Sequence, residues 1–171
     1  MSAAIGLRCV SCDARFPLEA MHEGCPRCAT DDFRSGVTPE YDYDAVRSSL
    51  DGGRLAEEGS GIWRYRRLLP VLDPAHELSL GEGGTPLVGL PELASETGAG
   101  EVWIKDESRN PTWSFKDRHA AVTLSKAREL GARMVMGSSS GNHGAAIAAY
   151  AARGGMGAIV LTYPGLSEAA A

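Results

Sequence analysis

Short apolar runs alternate with segments of helical periodicity in the second half of the chain. Strands are predicted at 101–105, 133–137 and 157–163, where apolar runs are bounded by polar or glycine residues. Between them, residues 118–130 and 145–153 carry apolar side chains at the spacing of a helix. This βαβαβ order predicts one parallel sheet covered by helices, because crossovers between parallel strands are right-handed.

The first half of the chain has weaker patterns. Helices are predicted at 45–50, at 62–72 and at 91–97, and a strand at 87–90. Gly98 is expected to end the third of these helices.

Composition shifts divide the chain into regions. The acidic stretch 31–44 is predicted to be extended, and the glycine-rich stretch 51–61 to be a linker. We expect three regions: a cysteine-bearing module at 1–35, a linker with helices at 36–78, and an α/β region at 79–171.

Length and charge limit the classes of function. The chain has 171 residues, 43% of them hydrophobic, and a net charge of −5, which argues against a nucleic-acid surface. It contains no apolar run of about 18 residues, so no membrane span is expected. No basic segment followed by an apolar stretch begins the chain, so the expectation is a soluble, cytoplasmic protein.

All four cysteines form two pairs near the start of the chain: Cys9 with Cys12, and Cys25 with Cys28, with twelve residues between the pairs. This spacing favours one structural Zn²⁺ held by four thiolates, over a small core that includes Phe16. A disulfide would need an oxidising compartment, a redox role needs only one pair, and nucleic-acid binding would rely on Arg8, Arg15 and Arg27. We expect the metal to supply most of the stability of the module.

The stretch 103–118 carries the strongest candidate for chemistry. It leaves a predicted strand, turns at Asn110-Pro111 and enters a helix that begins near Ser114. Lys116 lies in the first turn, where the helix dipole disfavours a cation. A lysine there is suited to act as a nucleophile.

A second candidate is the loop Ser138-Ser139-Ser140-Gly141-Asn142-His143-Gly144, which connects a predicted strand to an alanine-rich helix. Backbone N–H groups and the dipole at a helix N-terminus favour an anion such as a carboxylate. Both candidates follow strands of the predicted parallel sheet, so both are expected at its carboxyl edge. A third loop, Ser79 to Val88, contains Gly-Glu-Gly-Gly-Thr-Pro, and Thr85 is its candidate ligand-binding side chain.

These segments resemble the fold-type II pyridoxal phosphate-dependent enzymes, and among them the threonine synthases. The family pattern Lys-Asp-Glu-x-x-Asn-Pro-Thr-Gly-Ser-Phe-Lys-Asp-Arg is matched at 105–118, except that Trp113 replaces glycine. The serine loop resembles the family's Ser-x-Gly-Asn loop, and the four-cysteine module resembles that of threonine synthases with a zinc ribbon. Residues 79–171 would then be the N-terminal part of the catalytic domain.

The resemblance implies a fold, a cofactor and residue roles. The fold would be the three-layer parallel sheet of tryptophan synthase β-like enzymes, here incomplete. Lys116 would bind pyridoxal phosphate covalently, Asn142 would hydrogen-bond its 3-hydroxyl group, and Phe115 would pack against its ring. Ser139, Ser140, His143 and Thr85 would bind the amino-acid substrate, and the full-length form would be a homodimer.

The implied reaction converts O-phosphohomoserine into threonine and phosphate. His143 stands where threonine synthases often have threonine, and Asn-His is common in serine/threonine dehydratases. A dehydratase or a cysteate synthase with the same cofactor therefore remains open. A zinc-ribbon interaction protein with a remnant enzyme domain is the alternative from another class.

Family members are much longer than this chain. Their glycine-rich loop for the cofactor phosphate, and the Ser or Thr facing the pyridine nitrogen, lie beyond the Ser-x-Gly-Asn loop. We therefore expect a fragment that is inactive alone and that leaves apolar strand faces exposed.

Overall fold

The computed structural model describes residues 1–21, 23–49 and 59–162. The chain divides into two compact units. The first comprises the described residues of Met1–Gly59 together with Arg64–Ala75, and the second comprises Ser60–Trp63 and the chain from His76 onward. Among the described residues, no helix is both long and apolar enough to cross a membrane.

The first unit is built on a three-stranded antiparallel sheet. Strand β1 (Ala4–Cys9) lies between β2 (Arg15–Phe16) and β3 (Val37–Tyr41). Helix α1 (Tyr43–Ser49) follows, close to the predicted 45–50, although residue 50 lies outside the described part. The predicted extended stretch 31–44 is therefore a strand only in its middle. Of the predicted linker 51–61, residues 51–58 lie outside the described part.

The core of this unit is formed around the cysteines. Cys9 and Cys25 are fully buried and pack with Ala14, and half-buried Phe16, Cys28 and Val37 cover them. Phe16 thus lies in the small core, as predicted from the sequence.

The predicted helix 62–72 is shorter and tighter than expected. The structure has 3₁₀ turns over Gly61–Leu68, interrupted at Tyr65. The predicted apolar stripe is only partly correct, because Ile62 is buried whereas Tyr65, Leu68 and Leu72 are exposed. Trp63 is buried as well, and its indole N–H donates a hydrogen bond to the carbonyl of Leu78 at 3.0 Å. A second 3₁₀ turn covers Pro74–His76.

The second unit contains two strand pairs. Strand β4 (Leu87–Gly89) pairs antiparallel with β5 (Trp103–Lys105), and between them helix α2 (Pro91–Thr97) ends at Gly98 in a left-handed conformation, as predicted. Strand β6 (Met134–Ser138) pairs in parallel with β7 (Gly157–Leu161). A 3₁₀ turn at Glu107–Arg109 and helices α3 (Lys116–Glu129) and α4 (Asn142–Gly154) complete the unit.

The predicted order of strands and helices is present, but the described residues contain one parallel pair rather than a single parallel sheet. Strand β5 hydrogen-bonds to β4, not to β6 or β7, within these residues. The three-layer sheet therefore stays a prediction. The expectation of a buried strand at 133–137 is wrong for this chain, because Met134 and Met136 are exposed.

Helices α3 and α4 pack together through small side chains. Ala120, Ala121, Ala146 and Ala151 are fully buried, and they let the two helices approach closely. The predicted stripe on α3 is partly wrong, since Leu130 follows the last turn and is exposed. This packing fixes the first turns of both helices, where the candidate site residues lie.

Candidate active site

A hydrogen-bond network holds the chain in place before the lysine helix. Asp106 caps the 3₁₀ turn by accepting from the N–H of Ser108. Asn110 is buried, and its amide donates to Glu107 at 2.9 Å while its Oδ1 accepts from the N–H of Gly83 at 3.0 Å. Asn110 therefore ties the turn before the helix to the Gly-Glu-Gly loop.

The first turn of helix α3 is fixed by its own short side chains. Buried Asp117 accepts hydrogen bonds from the N–H of Thr112 at 2.9 Å and from its hydroxyl at 3.0 Å. The Ser114 hydroxyl accepts from the N–H of Lys116 at 3.2 Å. These contacts explain most of the polar residues in the 105–118 motif as supports of the backbone around Lys116.

Trp113 adopts a backbone conformation that side chains disfavour. Its φ is +62°, in the left-handed region, and its side chain is 82% exposed. A β-carbon there crowds the following carbonyl, which costs about 1–2 kcal/mol. The glycine of the family pattern would occupy this position without that strain.

Lys116 is half-buried, and its ammonium lies over the ring of Phe115, with Nζ at 4.8 Å from the ring centre. A cation over an aromatic face is attracted by the ring electrons. Phe115 itself is 56% exposed. The Phe115 ring is therefore in contact with the lysine amine.

The serine loop is built around Ser139. Its hydroxyl accepts from the N–H groups of Gly141 at 3.1 Å and Gly144 at 2.8 Å, and so satisfies free donors at the start of α4. Its own N–H donates to the carbonyl of Leu161, which extends the pairing of β6 with β7. Ser139 is therefore largely occupied in shaping the loop, while Ser140 and Asn142 are exposed.

One open cavity of about 760 Å³ brings the lysine helix and the serine loop together. It is lined by Lys116, His119, Ser138, Ser139, Ser140, Gly141, Asn142 and His143. Of the residues predicted for the site, five line this cavity. Thr85 and Phe115 are not among the lining residues.

Thr85 is buried in a different set of contacts. Its hydroxyl donates to Glu107 at 2.7 Å and accepts from Arg118 at 3.1 Å, and the same guanidinium forms a two-bond ion pair with Glu107. This ion pair holds the pKa of Glu107 at about 2, well below its usual value of 4.5, mainly through the hydrogen bonds from Arg118.

His119 is the residue of the cavity that sequence reasoning missed. It lies three positions after Lys116, which puts both on one face of α3, and this spacing was the available signal. Its ring centre is 5.3 Å from that of His143 on α4. His119 is exposed, but partial desolvation of its ring lowers its pKa, and the neighbouring charges of His143 and Lys116 lower it further.

A sequence model of the pyridoxal-phosphate dependent enzyme family matches residues 78–169, more than half of the chain. The chain belongs to this family. Its site can therefore be compared with the needs of that cofactor.

The chain is also similar to threonine synthases, which confirms the resemblance found in the sequence. It is 38% identical over 156 residues to threonine synthase of Methanocaldococcus jannaschii, covering 90% of this chain and 36% of that protein. For threonine synthase of Methanosarcina acetivorans the identity is 36% over 155 residues, covering 91% and 36%. For that of Synechocystis it is 46% over 101 residues, covering 58% and 26%. The chain thus spans about a third of the length of the first two of these relatives.

The residues of the cavity fit a pyridoxal phosphate ring and an amino acid in chemical type. A primary amine can bond an aldehyde, a carboxamide can hydrogen-bond a phenolic oxygen, and hydroxyls with helix N–H groups can hold a carboxylate. These groups are supplied by Lys116, Asn142 and Ser140 with the start of α4. A volume of about 760 Å³ is within the usual range for small-molecule sites.

The cysteines form a separate cluster in the first unit. All four Sγ atoms lie within 4.8 Å of one another, with 3.7 Å between Cys9 and Cys28 and 3.8 Å between Cys12 and Cys25. Zn–S bonds of about 2.3 Å in a tetrahedron put sulfurs roughly 3.8 Å apart. The Ser35 hydroxyl, 3.2 Å from Cys9 Sγ, lowers the pKa of that thiol. The four thiols are free of disulfides and could hold one metal ion.

Proposed function

We propose that this chain carries the part of the active site that contains the catalytic lysine in a threonine synthase-like lyase. Such a lyase converts O-phosphohomoserine into threonine and phosphate. The main support is that Lys116 and Asn142, which lie on different helices, line one cavity together with the serine loop. The similarity to three threonine synthases supports the choice of reaction.

In this proposal Lys116 binds the aldehyde of pyridoxal phosphate, and Asn142 donates a hydrogen bond to its 3-hydroxyl oxygen. Phe115 lies beside the lysine amine and limits where the amine can rest. When bound, the cofactor accepts the electrons left at Cα of the amino acid. Lys116 Nζ removes the Cα proton as a general base once it is freed from the cofactor.

The substrate carboxylate is proposed to lie at the start of α4. Ser140 and the backbone N–H groups of Asn142 and His143 are its main donors, because the N–H of Gly144 already donates to Ser139. Ser139 contributes by shaping the loop rather than by direct contact. Thr85 contributes indirectly, by supporting Glu107 and Arg118, because its hydroxyl donates to the first and accepts from the second.

Covalent trapping tests the cofactor site. The chain has three lysines, of which Lys105 donates to the carbonyl of Thr85 and Lys126 pairs with Glu129. We expect incubation with pyridoxal phosphate and reduction with borohydride to label Lys116, as read by peptide mass spectrometry. Lys116→Arg should abolish this label, and the matched control Lys126→Arg should retain it. Equal labelling of all three lysines would refute the assignment and favour an interaction protein with a remnant enzyme domain.

Competition tests the substrate. If O-phosphohomoserine is the substrate, it should protect Lys116 from labelling at lower concentration than serine, threonine or O-phosphoserine. The Asn142-His143 pair favours a dehydratase as the second candidate, and stronger protection by serine or threonine would select it. Stronger protection by O-phosphoserine would select a cysteate synthase. In the whole enzyme, phosphate release together with threonine formation is the corresponding readout.

We also propose that Cys9, Cys12, Cys25 and Cys28 hold one structural Zn²⁺ in the module 1–35. Support comes from the sulfur separations, which suit a tetrahedral site. The purified chain should contain one zinc per molecule by atomic emission, and Cys12→Ser should lower this content and the melting temperature of the first unit. The variant Ser48→Ala, at an exposed position of α1, is the control and should retain the metal. Cysteines that react with a thiol reagent at the same rate before and after chelation would contradict the proposal.

A further inference from the structure

A buried hydroxyl group lies beside the cysteine cluster of the first unit. Ser35 is only 2% exposed, and its Oγ is 3.2 Å from Cys9 Sγ. The four clustered thiols are enough for a complete tetrahedral metal site, so Ser35 is not needed as a further ligand. Ser35 instead lies next to a ligand sulfur, where a hydrogen bond can orient that ligand.

Backbone hydrogen bonds attach Ser35 to both cysteine pairs. Its carbonyl accepts from the N–H of Cys25 at 2.8 Å, and the next carbonyl, that of Gly36, accepts from the N–H of Val10 at 3.2 Å. Gly24 permits this approach, because a β-carbon at position 24 would collide with the Ser35 carbonyl oxygen. The peptide segment that carries the hydroxyl is thus fixed relative to the cluster.

The Ser35 hydroxyl has one proton and three nearby acceptors. Its Oγ lies 2.8 Å from Ser11 Oγ, 3.2 Å from Cys9 Sγ and 3.5 Å from the carbonyl of Gly36. The carbonyl is the most distant of the three, and it already accepts from Val10. The choice is therefore between the Ser11 hydroxyl and the Cys9 sulfur.

A bound metal ion would decide between these two acceptors. A cysteine sulfur that ligates a metal ion carries no proton, so it can only accept a hydrogen bond. A hydroxyl can both donate and accept, so the bond between Ser11 and Ser35 can run in either direction. With metal bound, Ser11 donates to Ser35, and the Ser35 proton is directed to Cys9 Sγ.

We propose that Ser35 is a positioning residue of the metal site, which donates a hydrogen bond to the metal-bound Cys9 sulfur while the Ser11 hydroxyl donates to Ser35. This inference rests on the zinc site proposed above. Hydrogen bonds to a charged acceptor are roughly twice as strong as those between neutral groups. Cys9 is fully buried, which leaves no solvent to replace Ser35, and the N–H of Ser11 at 3.4 Å is a second donor to the same sulfur. The two serines keep this sulfur in the orientation that the metal ion needs.

The zinc affinity of the 171-residue chain tests this role. Competition with a chromophoric chelator should show binding that is weaker by roughly tenfold or more in Ser35→Ala, because the metal ligand loses a hydrogen-bond partner. The control Ser48→Ala removes an exposed serine of α1, and its affinity should stay within about twofold of the original. An unchanged affinity in Ser35→Ala would overturn the proposal.

A spectrum distinguishes the hydrogen bond from a general loss of stability. Saturating Co²⁺ in place of zinc gives a near-ultraviolet absorption band, in which an electron moves from a thiolate sulfur to the metal. A hydrogen bond stabilises the electrons of the sulfur, so Ser35→Ala should shift this band to longer wavelength. Ser11→Ala, at an exposed position, should give a smaller shift in the same direction, and Ser48→Ala should give none. A band that stays in place in the Ser35 and Ser11 variants would overturn the proposal, even where binding is weaker.

Failure of the metal site and failure of this inference give different results. If the original chain takes up neither Zn²⁺ nor Co²⁺, the metal site is refuted and this inference with it. If the original chain and Ser35→Ala bind Co²⁺ with the same spectrum, the metal site stands and the role of Ser35 alone is refuted.

Discussion

Arg118 and Glu107 form a two-bond ion pair, with Nε to Oε2 at 2.7 Å and Nη2 to Oε1 at 2.8 Å. The pair joins the turn before the lysine helix to the first turn of that helix. Glu107 also accepts from Asn110 and Thr85, so two residues of the 105–118 motif and one of the Gly-Glu-Gly loop bond to one carboxylate. The position of Lys116 is therefore determined by residues that do not line the cavity.

Glu107→Gln should lower stability in a pH-dependent way. Because the pKa of Glu107 is depressed from 4.5 to about 2, its ion pair stabilises the folded state above about pH 4.5, and this contribution is lost as the pH falls toward 2. We expect the melting temperature at pH 7 to fall by about 2–4 °C, and the difference from the original chain to shrink on acidification. Calorimetry at several pH values measures this. Glu96→Gln, an exposed glutamate on α2, is the control, and a constant difference at all pH values would exclude the ion pair as the cause.

Trp113→Gly should be more stable than Trp113→Ala by about 1 kcal/mol, because the strain at φ +62° comes from the β-carbon, which alanine keeps. Both variants lose the indole. Because the indole is 82% exposed, its loss removes little packing in either variant. Urea titration of the two variants measures the difference. If alanine proved as stable as glycine, the backbone at this position would not be strained.

Tyr150→Phe should destabilise the second unit by about 1–3 kcal/mol. The Tyr150 hydroxyl donates to Glu82 Oε2 at 2.6 Å, and both side chains are almost fully buried. The phenylalanine variant leaves the buried carboxylate one donor short, and burial already raises the pKa of Tyr150 by disfavouring its charged form. A double-mutant cycle with Glu82→Gln isolates the pair. A coupling energy near zero would show that the hydrogen bond contributes nothing.

Gly144→Ala should destabilise the contact between α4 and β7 by about 1–3 kcal/mol, although alanine is the better helix former. A β-carbon at 144 would lie 2.8 Å from Val160 Cγ1 and 3.2 Å from Ser139 Cβ. Thermal unfolding measures the loss, and the double variant Gly144→Ala with Val160→Ala should recover part of it. A stabilising Gly144→Ala would mean that the strand moves away without cost.

The local order of elements was predictable because it follows from local patterns. Helix α2 and its end at Gly98 match the sequence, as do the existence and type of α3, α4, β6 and β7, since period and turn residues are written in neighbouring positions. The 62–72 segment was predicted less well. The indole of Trp63 donates a hydrogen bond to the carbonyl of Leu78, so the side of the segment that carries Trp63 is buried. Pairing of β5 with β4 likewise depends on residues far apart in the chain.

By itself, the sequence determined the candidate chemistry: a lysine in a helix N-terminus, an Asn-His loop and four cysteines in two pairs, because these depend on residue type and short spacing. Only the tertiary structure decided which side chains meet. Thr85 and Phe115 do not line the cavity, and the Ser139 hydroxyl accepts a hydrogen bond from the backbone of its own loop. The tertiary structure also brought His119 beside His143, since contacts between helices depend on packing that no local pattern encodes.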